Sequence, residues 1–276
     1  MSEQSHAAAL EYHACRYGGA RVFFRGPERS LDQPFMACIG GSETYGKFVP
    51  APWPALAEDI LGRRLVNFGC MNAGLDTFLN EPAALAAIGR GDGAILQAMD
   101  AHRLSNRLYT VHPRRNDRFI RPAPALRDLY EEVDFTEFHF TRHMLSHLRA
   151  LSAERFAVIE AELREAWLAR MRRLARALPE PSVLMVLPVP AASPATLPGE
   201  SLGDEPLFVT PDLIEEAAED FTATLTVSVS DRARSAGTEG MVFTDLDAPA
   251  ASGMPGPAIH AEIAAQLAPL LSRLTA

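Results

Sequence analysis

Ser42 stands directly after Gly40-Gly41 in the run FMACIGGSETYGKF, where a short apolar segment stops and a new segment opens. The pattern predicts a buried strand, a tight turn and a helix start. Two glycines let the backbone bend sharply and approach a ligand closely. A serine at the carboxyl end of a strand also lies where open α/β sheets place their ligands. Serine is a favoured helix N-cap as well, so the local pattern leaves a chemical and a capping role open.

A second conspicuous segment is HRLSNRLYTVHPRRNDRFIR, from His102 to Arg121, which holds six arginines and one acidic residue in an acidic chain. Guanidinium forks match phosphate, sulfate and carboxylate groups bidentately. His102, Arg103, Asn106, Arg107, Arg114, Arg115 and Arg118 are therefore candidate anion-binding residues. The competing reading is a solvated loop whose arginines pair with Glu131, Glu132, Asp134 and other acids. Tyr109 and Phe119 could stack on a nucleotide or sugar, or anchor the core.

His139, His143 and His147 fall at i, i+4 and i+8, one face of a predicted helix, with Glu137 nearby. Two such histidines can chelate a metal. The segment is not HExxH and has no cysteine cluster beside it, so the expectation is structural histidines and no metal or other cofactor.

The elements that would position these groups alternate. FMACIG, RRLVNFG, GAILQAM, PSVLMVLPVP and MVFTDLD read as strands. WPALAEDILG, the region of FLNEPAALAAIG, a long stretch from about Phe135 to Leu178, Pro211–Arg234 and HAEIAAQLAPLLSRL read as helices. The part TATLTVSVS within Pro211–Arg234 is rich in β-branched residues. ASPATLPGESLGDEP reads as a surface loop. Such alternation predicts an α/β fold: a three-layer, mainly parallel, doubly wound sheet with helices on both faces. Residues 1–34 read as an N-terminal attachment with short strands, and 35–276 as the α/β domain.

Composition narrows the setting. The chain has 276 residues, 47% of them hydrophobic, and a formal net charge of −9, enough apolar material for a full core and a poor match to duplex nucleic acid. No apolar run is long enough to span a bilayer, and no export signal is visible. Cys15, Cys38 and Cys70 form no CxxC pair. That usage suits a reduced, cytoplasmic protein. The expected partner is a small molecule rather than nucleic acid or membrane; the oligomeric state is not legible.

Taken together, four segments resemble the SGNH/GDSL family of serine hydrolases and acyltransferases. GGSETYG is similar to that family's Gly-Asp-Ser motif, with Gly41 where the family has aspartate, and Trp53-Pro54 opens the next helix as in the family. VNFGCMNAG, from Val66 to Gly74, is similar to the second block, PSVLMVLPVP to a later strand and HAEIAAQLAPLL to the closing helix. The resemblance implies that Ser42 is a nucleophile whose oxyanion hole is formed by the Ser42 N–H, an N–H of the Asn72–Gly74 turn and an asparagine after the third strand. That turn equally suits a glycine needed for backbone reasons alone.

Two departures stand out. QAMDAHRLSN lacks the third-strand asparagine at the simple alignment, leaving His102, Arg103 or Asn106 as substitute donors. The family's Asp-x-x-His aligns on Ala251 and Met254, which cannot transfer protons. His260 is then the candidate base, oriented by Asp245 or Asp247, or else a histidine at a helix start. Two functions follow: an acyl hydrolase or O-acyltransferase acting on an anionic or carbohydrate-type small substrate, or a catalytically degenerate domain that binds an anionic glycan, nucleotide or coenzyme.

Overall fold

The computed structural model describes residues 10–187, 202–203 and 205–275. Five parallel strands form the central sheet: β1 (Met36–Gly40), β2 (Leu65–Gly69), β3 (Ala94–Gln97), β6 (Ser182–Val186) and β7 (Ala223–Thr226), in the order β2-β1-β3-β6-β7. The antiparallel hairpin β4 (Tyr109–His112) and β5 (Arg115–Pro122) is inserted after β3. The helices are α1 (Ser42–Tyr45), α2 (Trp53–Leu61), α3 (Leu75–Leu79), α4 (Pro82–Ile88), α5 (Pro124–Leu129), α6 (Thr141–Leu151), α7 (Ala153–Ala175), α8 (Pro211–Ala218), α9 (Asp231–Ser235), α10 (Ala248–Ala251) and α11 (Pro257–Leu274).

Alternation along the strands sorts the core into two layers. Met36, Cys38, Ile95, Val183 and Met185 pack with Trp53 and Ala57 of α2 and with Ile259 and Ile263 of α11. Ala37, Ile39, Leu96 and Leu184 face the opposite way, toward Leu75 and Phe78 of α3 and Ile159, Leu163 and Trp167 of α7. The expected three-layer α/β fold is therefore present. Tyr17, Val22 and Phe24 of the N-terminal segment are buried in the second of these layers, and an isolated bridge joins Cys15 to Phe24.

The sheet differs from expectation at its edge. MVFTDLD is not a strand: Val242 bonds to the Phe48 carbonyl, and Phe243 packs on the Phe48 ring at 5.9 Å. The place beside β6 is taken by Ala223–Thr226, inside the segment expected to be helical, whose β-branched residues suit an extended edge. The long helix expected over Phe135–Leu178 is broken at Ser152, which is extended (φ −160°) and whose side chain accepts the Arg155 N–H to start α7. The proline-rich loop ASPATLPGESLGDEP lies largely outside the described residues. No described helix is long and apolar enough to cross a membrane.

Candidate active site

In a sheet of this order the chain winds away in opposite directions from β1 and β3, and the carboxyl ends of such a strand pair are where open α/β sheets place their ligands. Both strands deliver polar residues there. After β1, Gly40 must be glycine: a Cβ would lie 2.2 Å from Thr44 Oγ1 and 2.3 Å from Gln97 Oε1. Gly41 occupies the N-cap position of α1, and Ser42 is the first helical residue, so Ser42 is not the cap. Its hydroxyl, 4% exposed, accepts the Asn72 N–H at 3.1 Å.

The Asn72 turn is itself pinned from the hairpin. Asn72 has φ +58°, a left-handed conformation that asparagine tolerates better than most residues. Fully buried Asn116 of β5 accepts at Oδ1 from the Gly74 N–H at 2.9 Å, the Thr77 N–H at 3.0 Å and the Thr77 hydroxyl at 2.7 Å. Its amide donates to the His112 carbonyl, and its backbone N–H donates to the Asn72 carbonyl at 3.2 Å. A Cβ at Gly74 would sit 2.1 Å from the Arg103 carbonyl oxygen. Ser42, Asn72, Gly74 and the segment opening at His102 thus form one contiguous assembly. Within it, the Gly74 N–H is directed at Asn116.

From β3, Gln97 stitches the turn together. Its Oε1 accepts from the Gly41 N–H at 3.1 Å and the Thr44 hydroxyl at 2.6 Å, and its Nε2 donates to Glu43 at 2.9 Å. Beyond it, a cavity with room for about one water molecule is lined by Glu43, Ala73, Gln97, Asp100, Arg103 and Glu205, among others. Asp100 Oδ2 lies 3.0 Å from Arg103 Nε, an ion pair whose N–H is not aligned for a hydrogen bond. Burial would raise the Asp100 carboxyl, but the charges of Arg103 and Arg142 and the Leu207 N–H hold it below the usual carboxylate range. His102 is buried, and desolvation outweighs the pull of Asp100 to push it down to about 3. It is therefore a neutral imidazole at physiological pH.

The other candidate residues are placed elsewhere or otherwise engaged. His260, on the first turn of α11, is 1% exposed, and its Nδ1 accepts the Trp53 N–H at 3.0 Å. Burial, with help from the Arg25 charge, pushes it down to about 3. Asp245 and Asp247 lie in a short 3-10 turn, where Asp247 accepts from the Thr244 hydroxyl; among the described residues neither hydrogen-bonds His260. No described histidine hydrogen-bonds Ser42.

The arginines disperse. Arg107 pairs with Glu162 and, at 2.6 Å, with Glu165, beside a separate groove. Arg114 and Arg115 are exposed at the hairpin tip, and Arg118 lies over the Phe140 ring at 4.3 Å. Arg103 and Arg107 do pair with acids, but with Asp100, Glu162 and Glu165 and not with Glu131, Glu132 or Asp134. Asn106 closes a local turn, accepting from the Leu108 and Tyr109 N–H groups. Tyr109 and Phe119 are buried in the core. Only His143 and His147 of the histidine series fall on α6, and both rings meet Phe138. Among the described residues no cluster of three metal-ligating side chains is present.

Sequence reasoning passed over Glu43, Gln97, Asp100, Asn116, Arg142 and Glu205. Glu43 and Asp100 had a signal, being acids adjacent to predicted strand ends. The others reach the site through contacts distant in sequence.

A family model described as "Domain of unknown function (DUF6473)" matches residues 1–275. No curated protein matches the chain in sequence. Among solved structures, the lipase Lip_vut3 from a goat rumen metagenome is similar at 10% identity, covering 85% of this chain and 96% of that one with a TM-score of 0.44. Phospholipase A1 from Streptomyces albidoflavus NA297 is similar at 13% identity, with 88% and 99% coverage and a TM-score of 0.44. A protein from Lactobacillus plantarum is similar at 12% identity, with 87% and 97% coverage and a TM-score of 0.43.

Proposed function

We propose that this chain, which belongs to the DUF6473 family, binds a small polar ligand in the crevice between the ends of β1 and β3, beside Ser42, without a serine–histidine relay. The observation that carries this reading is the engagement of His260. A general base must come within about 3 Å of the hydroxyl it deprotonates, whereas the His260 Nδ1 is committed to the Trp53 N–H inside the core. Ala251 and Met254 supply nothing in its place. Ser42, Gln97 and Glu43 then act as hydrogen-bonding groups around a ligand.

A second reading is favoured by one contact. The Asn72 N–H donates to the Ser42 hydroxyl at 3.1 Å, so a backbone donor stands next to the atom that would attack an acyl carbon and within reach of the oxygen that carbon would carry. On that reading the chain is a serine acyl hydrolase or O-acyltransferase, with Ser42 as nucleophile and an anionic or carbohydrate-type small substrate. A thermal-shift screen of small polar compounds, repeated on Gln97→Ala, tests the first reading: a stabilising ligand whose effect disappears in the variant supports it. Labelling by a fluorophosphonate that disappears in Ser42→Ala would establish the second.

A further inference from the structure

Beyond Gln97 five ionisable side chains, Asp100, His102, Arg103, Arg142 and Glu205, cluster together. Asp100, His102 and Arg103 follow β3 directly. Arg142 approaches from α6, and Glu205 from a strap that runs over them into α8. The strap is held to β3's end by two backbone contacts: the Leu207 N–H donates to Asp100 Oδ1 at 2.8 Å, and the Leu207 carbonyl accepts the Ala101 N–H at 3.0 Å. Leu207 is fully buried beneath it, while Phe208 sits at φ +62°, a left-handed conformation unfavourable for a bulky residue.

The two carboxylates in this cluster are held differently. Asp100 has Arg103 and the Leu207 N–H, and it is drawn below the usual carboxylate range. Glu205 has its ion pair to Arg142, and burial together with the Asp100 charge raises it above the usual range. Hydrogen-bonding capacity is also left over. Among the described residues, buried His102 Nδ1 has no hydrogen-bond partner, and Arg103 Nε, ion-paired to Asp100, makes no aligned hydrogen bond. The cavity between Glu205 and Gln97 is lined by Arg103, with Asp100 and Glu43.

We propose that this nook is the anion-binding subsite of the Ser42 crevice, and that Glu205 occupies it as an internal stand-in for the anionic group of the ligand. The inference rests on the reading of the crevice as a ligand site and names the class it takes: a small oxyanion, carboxylate, phosphate or sulfate, at one end of the molecule. That group pairs with Arg142, beside the Arg103 guanidinium, and accepts from His102 with the imidazole proton on Nδ1. The Glu205 carboxylate leaves with the strap, so one negative charge replaces another and the cluster keeps its balance. The remainder of the ligand extends past Gln97 and Glu43 toward Ser42.

A stand-in lowers apparent affinity by the fraction of molecules in which it is displaced, so neutralising it must tighten binding. Inorganic phosphate, sulfate and acetate are titrated separately against wild type and Glu205→Gln by calorimetry, at ionic strength matched with chloride. At least one of the three should bind Glu205→Gln tenfold or more tightly than wild type. Arg142→Gln should abolish that binding, and Arg107→Gln, in a separate groove, should leave it unchanged.

Because Arg142→Gln strands the Glu205 charge, the double variant Glu205→Gln/Arg142→Gln is included; it should melt near wild type and still not bind. Equal affinity of wild type and Glu205→Gln for all three anions, or undiminished binding by the double variant, overturns the proposal. These ions carry no acyl group. Their failure to bind therefore rejects the stand-in without bearing on whether Ser42 reacts with a fluorophosphonate.

Discussion

Trp53 donates its backbone N–H to Nδ1 of His260 over 3.0 Å, joining the start of α2 to the first turn of α11 across 207 positions of sequence. The bond satisfies one of the N–H groups that every helix start leaves unpaired. It also fixes the ring in the core between α2 and α11, where Trp53, Ala57, Ile259 and Ile263 pack. On this account His260 is a structural acceptor. His260→Ala should therefore cost about 1–3 kcal/mol for the stranded buried donor, lowering the melting temperature by roughly 2–4 °C per kcal/mol. Ligand binding at the Ser42 crevice, measured well below the melting point, should survive.

Acid should weaken the fold through His102 and His260 together. Both are held down to about 3 by burial, so in the folded state each stays neutral where an unfolded histidine takes up a proton. The folded values are depressed, so the stability they contribute is complete above the unfolded value of about 6.5 and is lost as pH falls from there toward 3. The loss at pH 5 amounts to about 2 kcal/mol for each histidine. Asp100 acts in the same direction at lower pH, its carboxyl being held below the usual range against burial by Arg103, the Leu207 N–H and Arg142. Urea midpoints at pH 7.5 and 5.0 measure the drop, and His102→Gln and His260→Gln should each flatten it. A profile unchanged by both substitutions contradicts the assignment.

Asn116 ties the hairpin to the Asn72 turn through one oxygen that accepts three hydrogen bonds. Asn116→Ala strips the Gly74 N–H and the Thr77 hydroxyl of their partner, the Thr77 N–H keeping its bond to the Gly74 carbonyl, and should cost about 2 kcal/mol or more. Asn116→Asp keeps the acceptor but sets a buried carboxylate oxygen against the His112 carbonyl, so at acid pH, where the protonated carboxyl can donate to that carbonyl, it should destabilise far less than Asn116→Ala. The ranking is read from denaturation midpoints at that pH, and equal losses for the two variants would reject the proposed role.

Gly40→Ala tests the turn before Ser42. The added methyl meets Thr44 Oγ1 and Gln97 Oε1, the groups that hold α1 to β3. Overpacking of this kind costs ~1–3 kcal/mol, and here it also separates Gln97 from Gly41. The variant should lose binding of any ligand found by thermal shift more severely than it loses stability.

Much of this was legible in the chain itself. The apolar runs at β1, β2, β3 and β6 are long and flanked by glycine or proline, and all four are strands. The fifth strand was misplaced because MVFTDLD and TATLTVSVS both carry β-branched residues, and local propensity does not decide which of two such segments reaches the open edge beside β6. The serine turn was visible because glycine spacing is local. Gln97, Asn116, Arg142 and Glu205 were not, since each acts on partners more than fifty positions away or through a hairpin whose register no local pattern reports.

The central claim, that Ser42 lines a binding crevice without a histidine relay, is tested most directly by intact-mass measurement of covalent fluorophosphonate adducts on wild type and Ser42→Ala at neutral pH. The account predicts no Ser42-dependent adduct. Rapid stoichiometric labelling of wild type that is absent from Ser42→Ala would contradict it.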